Sequence, residues 1–152
     1  MLRGTSAINL DAKGRIAIPT RYRKELLDSC QGHFVCTVDL HSPCLLLYPL
    51  QEWELIEKKL CALSSMNQQE KLIQRLLLGH ATETEIDKAG RAIIAPTLRK
   101  YANLNKKIML VGQLNKFEIW DEDTWNAEVG KGLESDLLSL SELSENLKGF
   151  SL

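Results

Sequence analysis

The chain has 152 residues, of which 44% are hydrophobic and 26% are charged, and its formal net charge is −1. This length fits one medium domain or two small ones, each with a packed core. No apolar run approaches the roughly 20 residues of a membrane-spanning helix, and no apolar N-terminal segment indicates a signal peptide. We therefore expect a cytosolic protein whose cysteines form no disulfides.

The charge is distributed unevenly along the chain. Residues 1–120 carry 17 Lys and Arg against 12 Asp and Glu, whereas residues 121–152 carry two against eight. Nucleic-acid binding needs a local positive patch more than a high overall pI, so the near-neutral chain permits a DNA partner without requiring one. The densest cluster, within residues 1–24, consists of Arg3, Lys13, Arg15, Arg21, Arg23 and Lys24.

Residues 1–60 are predicted to form a small module of strands around one short helix. Gly14 is free to adopt the positive φ of a tight turn, and Pro19 suits the first turn of a helix. The predicted elements, in chain order, are a strand leading into Asp11, a turn at 12–14, a strand at 15–18, a helix at 19–27 and strands at 34–38 and 45–48.

Residues 61–80 are predicted to be a helical linker. A helix over residues 50–63 would place its apolar side chains on one face. Asn67 followed by Glu70 is typical of a helix N-cap, so a further helix is expected at residues 71–78.

Residues 81–130 are predicted to be a second copy of the first module. A D-x-x-G-R motif, an apolar run, Pro-Thr and basic residues occur after Asp11 and again after Asp87. The offset is 76 residues at the Asp and 77 at the Pro, so we expect one extra residue, such as a β-bulge, in the second copy. A short helix between hairpins cannot bury a sheet alone, so the copies should share one core. The predicted elements are strands at 82–87, 91–95, 108–111 and 117–120 and a helix at 96–101.

Residues 131–152 are predicted to be an acidic C-terminal tail. Leucines recur between residues 134 and 147 among acidic side chains. This pattern is typical of a loose amphipathic helix or of a partly disordered segment.

The two D-x-x-G-R hairpins are the candidate functional site. Taken alone, Asp11 and Arg15 would most simply form an exposed ion pair worth about 0–1 kcal/mol. The duplication favours a function, because Arg suits bidentate contacts with phosphate or guanine and a neighbouring Asp can fix its rotamer. A two-stranded ribbon can also enter the major groove. The expected DNA-binding residues are Lys13, Gly14, Arg15, Lys88, Arg91 and Arg3, with Asp11 and Asp87 orienting the hairpins.

These motifs resemble the MraZ transcriptional regulators, whose fold is the AbrB-like swapped hairpin. The most specific pieces are residues 10–15, 44–49 and 87–91, and the resemblance covers nearly the whole chain. It implies an α+β, strand-rich fold of duplicated modules around one barrel-like core. The family's DNA-contact arginine corresponds to Arg15 and its second-copy counterpart to Arg91. Because Pro96 comes one residue late in the second copy, Arg15 is the stronger candidate.

The resemblance also implies how such a protein would act. It implies a cytoplasmic, nucleoid-associated homo-oligomer, arranged as a ring, that presents several hairpins to direct repeats in double-stranded promoter DNA. Such a protein would repress its own operon within the division and cell-wall gene cluster. The alternative is a scaffold or interaction module whose acidic tail binds a basic protein.

An enzyme or a metalloprotein is not expected. The chain has no phosphate-binding loop, dinucleotide motif or serine-nucleophile motif, and Asp11 and Asp87 each have an Arg neighbour. The pairs His33-x-x-Cys36 and His41-x-x-Cys44 have types of residue that bind zinc, but their cysteines fall in strand-like segments where small buried side chains are common. We expect no cofactor, no membrane and no small-molecule substrate.

Overall fold

The computed structural model of the chain describes residues 1–135 and 143–150. It divides into two compact units, residues 1–122 and residues 123–152, and both D-x-x-G-R motifs lie in the first. Much of the expected tail, residues 136–142, lies outside the described residues. The elements are β1 (Leu2–Asn9), β2 (Arg15–Ala17), α1 (Thr20–Cys30), β3 (His33–Val38), β4 (Leu45–Pro49), α2 (Leu50–Cys61), α3 (Gln68–Gly79), β5 (Thr82–Glu85), β6 (Arg91–Ile93), α4 (Pro96–Tyr101), β7 (Lys107–Leu114), β8 (Phe117–Asp121), α5 (Glu122–Glu134) and α6 (Glu145–Lys148).

The two copies exchange their first strands. Among the described residues, a six-stranded antiparallel sheet has the order β1-β7-β8-β4-β3-β5. Strand β1 of the first copy therefore pairs with β7 of the second, whereas β5 of the second copy pairs with β3 of the first. Strands β4 and β8 join the two halves of the sheet. This reciprocal exchange confirms the expected α+β fold of duplicated, swapped modules.

Strands β2 and β6 form a separate antiparallel ribbon that also joins the copies. The strands that flank each D-x-x-G-R turn thus belong to different sheets, and in the first copy they are connected through the isolated bridge between Leu10 and Ile16. The turn therefore links two sheets instead of closing one hairpin ladder. The ribbon pairs are Arg15 with Ile93, Ile16 with Ala92 and Ala17 with Arg91.

One apolar core contains side chains of both copies. Ile16 and Ile18 of the first copy and Ile94 and Leu98 of the second have no exposed surface and belong to one buried cluster. Burial of an aliphatic side chain of this size contributes about 1.5–3 kcal/mol. Because the cluster is continuous, neither copy would keep its core without the other, which confirms the expected sharing.

Helices α2 and α3 cover the opposite face of the sheet. Trp53 and Leu60 of α2 are buried in a second cluster with Tyr48 of β4. The side chain of Asn67 caps α3, since its Oδ1 accepts a hydrogen bond from the backbone N–H of Glu70 at 3.0 Å. The helices and the cap that the sequence predicts between the copies are thus confirmed. None of the helices in the described residues has the length and apolar character of a membrane span.

From the turn to the start of the following helix, equivalent residues of the two copies are 76 positions apart throughout. The expected bulge in the second copy is therefore wrong. Pro19 is the N-cap residue of α1, whereas Pro96 occupies the first turn of α4 behind the N-cap residue Ala95. The Pro-Thr pair has therefore moved by one position, while the backbone register has not. The hydrogen bonds that fix this register run from Ile18 N to Gly90 O and from Ile94 N to Gly14 O, both at 2.8 Å.

Candidate nucleic-acid interface

The first turn is organised by the carboxylate of Asp11. Its Oδ1 accepts hydrogen bonds from the backbone N–H groups of Lys13 and Arg15, both at 2.9 Å. Its Oδ2 accepts a hydrogen bond from Nε of Arg15 at 2.8 Å. The backbone N–H of Arg15 is the strongest of the interactions that hold the pKa of Asp11 below its ordinary value. Asp11 is therefore ionised at neutral pH and fixes both the turn and the guanidinium beside it.

The second turn repeats this arrangement around Asp87, but less tightly. Asp87 Oδ1 accepts hydrogen bonds from the backbone N–H groups of Ala89 and Arg91, both at 2.9 Å, and the bond from Arg91 contributes most to its lowered pKa. Arg91 Nε lies 3.4 Å from Asp87 Oδ2. The side chain of Arg91 is 39% exposed, against 23% for Arg15. The first copy thus holds its arginine more firmly than the second.

Each turn is covered by an arginine of the other copy. Gly14 and Gly90 both have a φ of +78°, a conformation that L side chains rarely adopt. A Cβ on Gly14 would lie 2.7 Å from Cζ of Arg99, and a Cβ on Gly90 would overlap the guanidinium of Arg23. Arg23 is anchored there because its Nε donates a hydrogen bond to the carbonyl oxygen of Ile18 at 2.8 Å.

Arg23 and Arg99 lie against the turn glycines, although neither is among the DNA-binding residues expected from the sequence. Both residues lie outside the D-x-x-G-R motifs, at residues 11–15 and 87–91. Only Arg23 belongs to the basic cluster near the N-terminus. The two positions are 76 residues apart, which is the offset of the turns themselves. This spacing was the available indication that they are equivalent, whereas their contact with the opposite turn depends on the strand exchange.

The ribbon face, defined here as the side chains of Arg15, Ala17, Arg91 and Ile93, points away from the core. Side chains alternate between the two sides of a strand, and the intervening residues Ile16 and Ala92 are completely buried. Arg15 and Arg91 occupy diagonal positions of the ribbon, which lie about 7–8 Å apart. Two arginines therefore share one small outward surface.

The remaining expected site residues differ in their position. Lys13 and Lys88 are exposed in the two turns, at different places within each turn. Arg3 is exposed near the start of β1, eight residues before Asp11, which corresponds to about 26 Å of extended strand. The structure brings the two lysines to the ends of the ribbon but does not bring Arg3 there.

Within the described residues, the two His-x-x-Cys pairs of the sequence do not come together as one set of metal ligands. His33 is exposed, whereas Cys36, three residues later in β3, is buried in the core. Within residues 1–135 and 143–150, the ligand-type side chains that do cluster are Asp39, Cys44 and Glu118. Burial raises the pKa of the Cys44 thiol, and its Sγ donates a weak hydrogen bond to Asp39 Oδ2 at 3.6 Å. A cation bound here would have to displace the proton of this buried thiol, and that cost opposes metal binding at the cluster.

Two modules that exchange strands and pair across a ribbon, each after a D-x-x-G-R turn, define the duplicated AbrB-like swapped-hairpin class. A family model described as "MraZ protein, putative antitoxin-like" matches residues 1–76 and again residues 77–142. Over 152 residues and the full length of both chains, the protein is 67% identical to "Transcriptional regulator MraZ" from Psychromonas ingrahamii. It is 57% identical, again over full length, to proteins of that name from Escherichia coli (strain K12 / DH10B) and Shigella boydii serotype 18.

The chain therefore belongs to the MraZ family, a family of transcriptional regulators and not of enzymes. The two matches of the family model agree with the duplication deduced from the sequence. They meet between residues 76 and 77, inside α3. The narrower boundaries at residues 60, 80 and 130 remain predictions.

Proposed function

We propose that the protein binds double-stranded promoter DNA sequence-specifically through the ribbon face and represses its own operon. The observation that carries this proposal is the orientation of Arg15. An ionised Asp11 holds its guanidinium on an outward surface, at the end of a ribbon narrow enough for the major groove. Preorganisation of this kind lowers the entropy that the side chain loses on binding.

The geometry leaves the base-reading groups of Arg15 available. Its Nε–H is used by Asp11, so the two terminal NH2 groups remain to donate to O6 and N7 of a guanine. Arg91 would contact a second base in the same way from the diagonal position. Because Arg91 is held less tightly, its contact should contribute less than that of Arg15.

The other basic side chains around the ribbon would contact phosphates. Lys13 and Lys88 project from the turns, and Arg23 and Arg99 lie over the turn glycines. Contacts of this kind position a protein on the duplex without reading its sequence. With Arg15 and Arg91, these side chains give six positive charges, against the two negative charges of Asp11 and Asp87. The surface is therefore positive, although the whole chain is nearly neutral.

The proposed assembly is a homo-oligomeric ring in the cytoplasm, bound to direct promoter repeats at the nucleoid. One ribbon face makes few base contacts and should bind weakly, whereas linked faces gain affinity through effective concentration. Exposed apolar side chains on and between α2 and α3 support self-association. These are Leu55, Met66, Leu72 and Leu78, whose exposed fractions are 51%, 91%, 51% and 42%.

A mobility shift on the protein's own promoter tests the proposal. Loss of one bidentate base contact costs about 1–3 kcal/mol. Arg15→Ala should therefore weaken specific binding by roughly 5- to 150-fold for each ribbon face that contacts the DNA. Arg75→Ala, which removes an exposed arginine of α3 away from the ribbon, is the matched control. It should bind like the wild type, and sedimentation should show the wild-type assembly, because Arg75 lies one helical turn from Leu72. Equal binding by Arg15→Ala would contradict the proposal, and absence of any shift with the wild type would favour the interaction-module alternative.

A further inference from the structure

The ribbon face carries one large apolar side chain between its arginines. Ile93 is directly opposite Arg15 in the ribbon and is 58% exposed. The equivalent position in the first copy, opposite Arg91, is occupied by the exposed Ala17. The two ends of the ribbon face therefore have the same guanidinium but different apolar neighbours.

A surface aimed at the major groove meets apolar groups as well as hydrogen-bonding ones. The C5-methyl of thymine is the apolar group displayed on that edge of the base pairs, and apolar side chains recognise thymine by contact with it. Directly opposed residues in an antiparallel pair have Cβ atoms about 4.5–5.5 Å apart. An isoleucine at this distance from Arg15 is close enough to reach the base next to the one that Arg15 contacts.

We propose that Ile93 is a specificity-determining residue that packs against the C5-methyl of a thymine adjacent to the guanine bound by Arg15. This inference rests on the proposed function, because it requires the ribbon face to lie in the major groove. Ala17 is too short to make the equivalent contact beside Arg91. The two ends of the ribbon thus read different base pairs, and the site recognised by one protomer has a direction.

This asymmetry gives the inference a consequence for the operator. A ribbon built by two identical chains reads a palindrome, because the symmetry of the site mirrors that of the protein. Here one chain supplies both strands, and the pair Ile93 and Ala17 breaks the twofold relationship on the face itself. A directional site can be repeated head to tail, which is the arrangement expected of direct repeats.

Replacement of thymine by deoxyuridine tests the contact, because it removes the C5-methyl and leaves the base pair intact. The full-length protein is titrated by fluorescence anisotropy with its own promoter fragment, in which single thymines of one repeat are exchanged. Burial of one methyl group corresponds to about a fourfold change in affinity. The wild type should lose about fourfold at one thymine position per repeat. Ile93→Ala should bind the natural fragment about fourfold more weakly and should be insensitive to deoxyuridine at that position.

Three further variants make the test specific. Ile93→Val keeps a branched apolar side chain and should keep a reduced sensitivity to deoxyuridine. Leu114→Ala removes a similarly exposed apolar side chain, 60% exposed, outside the ribbon, and should match the wild type. The double variant Ala17→Ile, Ile93→Ala should transfer the sensitivity to a thymine at the other end of the site.

The outcomes also separate this inference from the function on which it rests. A wild type that binds its promoter specifically but tolerates deoxyuridine everywhere would overturn the thymine contact alone. The same conclusion follows if Ile93→Ala keeps the full sensitivity, or if it changes the oligomeric state in sedimentation, which would mean that another copy covers Ile93. A wild type that fails to bind the promoter at all would overturn the proposed function itself.

Discussion

The guanidinium of Arg99 lies over Gly14, so closely that a Cβ on the glycine would stand 2.7 Å from Cζ of the arginine. Arg23 has the same relationship to Gly90. Each D-x-x-G-R turn is therefore completed by a residue of the other copy. The glycine meets two requirements here, since it allows the positive φ of the turn and leaves room for the arginine.

Gly14→Ala should destabilise the protein. An L side chain at a left-handed φ costs about 1–2 kcal/mol, and the new methyl group would also displace the side chain of Arg99. For a protein of this size, this corresponds to a decrease in Tm of roughly 2–8 °C, measurable by calorimetry. Gly79→Ala is the control, because no atom lies within 4 Å of a Cβ at that helical position. Equal Tm values for the two variants would contradict the role given to Gly14.

Asp11 should keep a low pKa even when the side chain of Arg15 is removed. The largest contribution to the shift comes from the backbone N–H of Arg15, which Arg15→Ala retains. An NMR titration of the Asp11 carboxyl should therefore still give a midpoint below its ordinary value of 3.8 in this variant.

The same shift predicts how the turn responds to acid. Because the folded-state pKa of Asp11 is lowered, its contribution to stability is complete above the ordinary value. That contribution is lost as the pH falls through the folded-state pKa.

In the NMR titration of Arg15→Ala, an Asp11 midpoint at or above 3.8 would contradict the role given to the backbone. It would mean that the guanidinium holds the carboxylate and that the variant has lost its turn.

DNA binding should weaken steeply with salt, and Lys13 should contribute to the dependence. Each phosphate that a protein neutralises adds about 0.9 to the slope of log affinity against log salt. Lys13→Ala should reduce the slope by about that amount in anisotropy titrations at several salt concentrations. Lys58→Ala, on α2 away from the ribbon, should leave it unchanged. A wild-type affinity independent of salt would exclude phosphate contacts.

Local sequence patterns were enough to locate the turns and most of the elements. Asp11 and Gly14 predict a turn from their own hydrogen-bonding and conformational preferences, and Asn67 predicts the start of α3. Such features depend on neighbours within a few residues. The repeat itself predicted a shared core, because each copy alone has too little apolar surface to bury.

Features that depend on the partner of a strand could not be predicted in the same way. Nothing near Arg15 indicates that β2 pairs with β6, or that Arg99 covers Gly14, since both contacts join residues about 80 positions apart. The 77-residue offset of the prolines implies a bulge only if proline has a fixed position relative to the start of the helix. The backbone tolerates proline at the N-cap or in the first turn of a helix, so it was a poor marker of register.

Footprinting on the gene's own promoter, with wild type beside Arg15→Ala, tests most directly that the ribbon face reads DNA. The wild type should protect a series of equally spaced segments with the same orientation, and Arg15→Ala should protect none at the same concentration while keeping the wild-type Tm. Protection of the same segments by both proteins would contradict the assignment of base recognition to this surface.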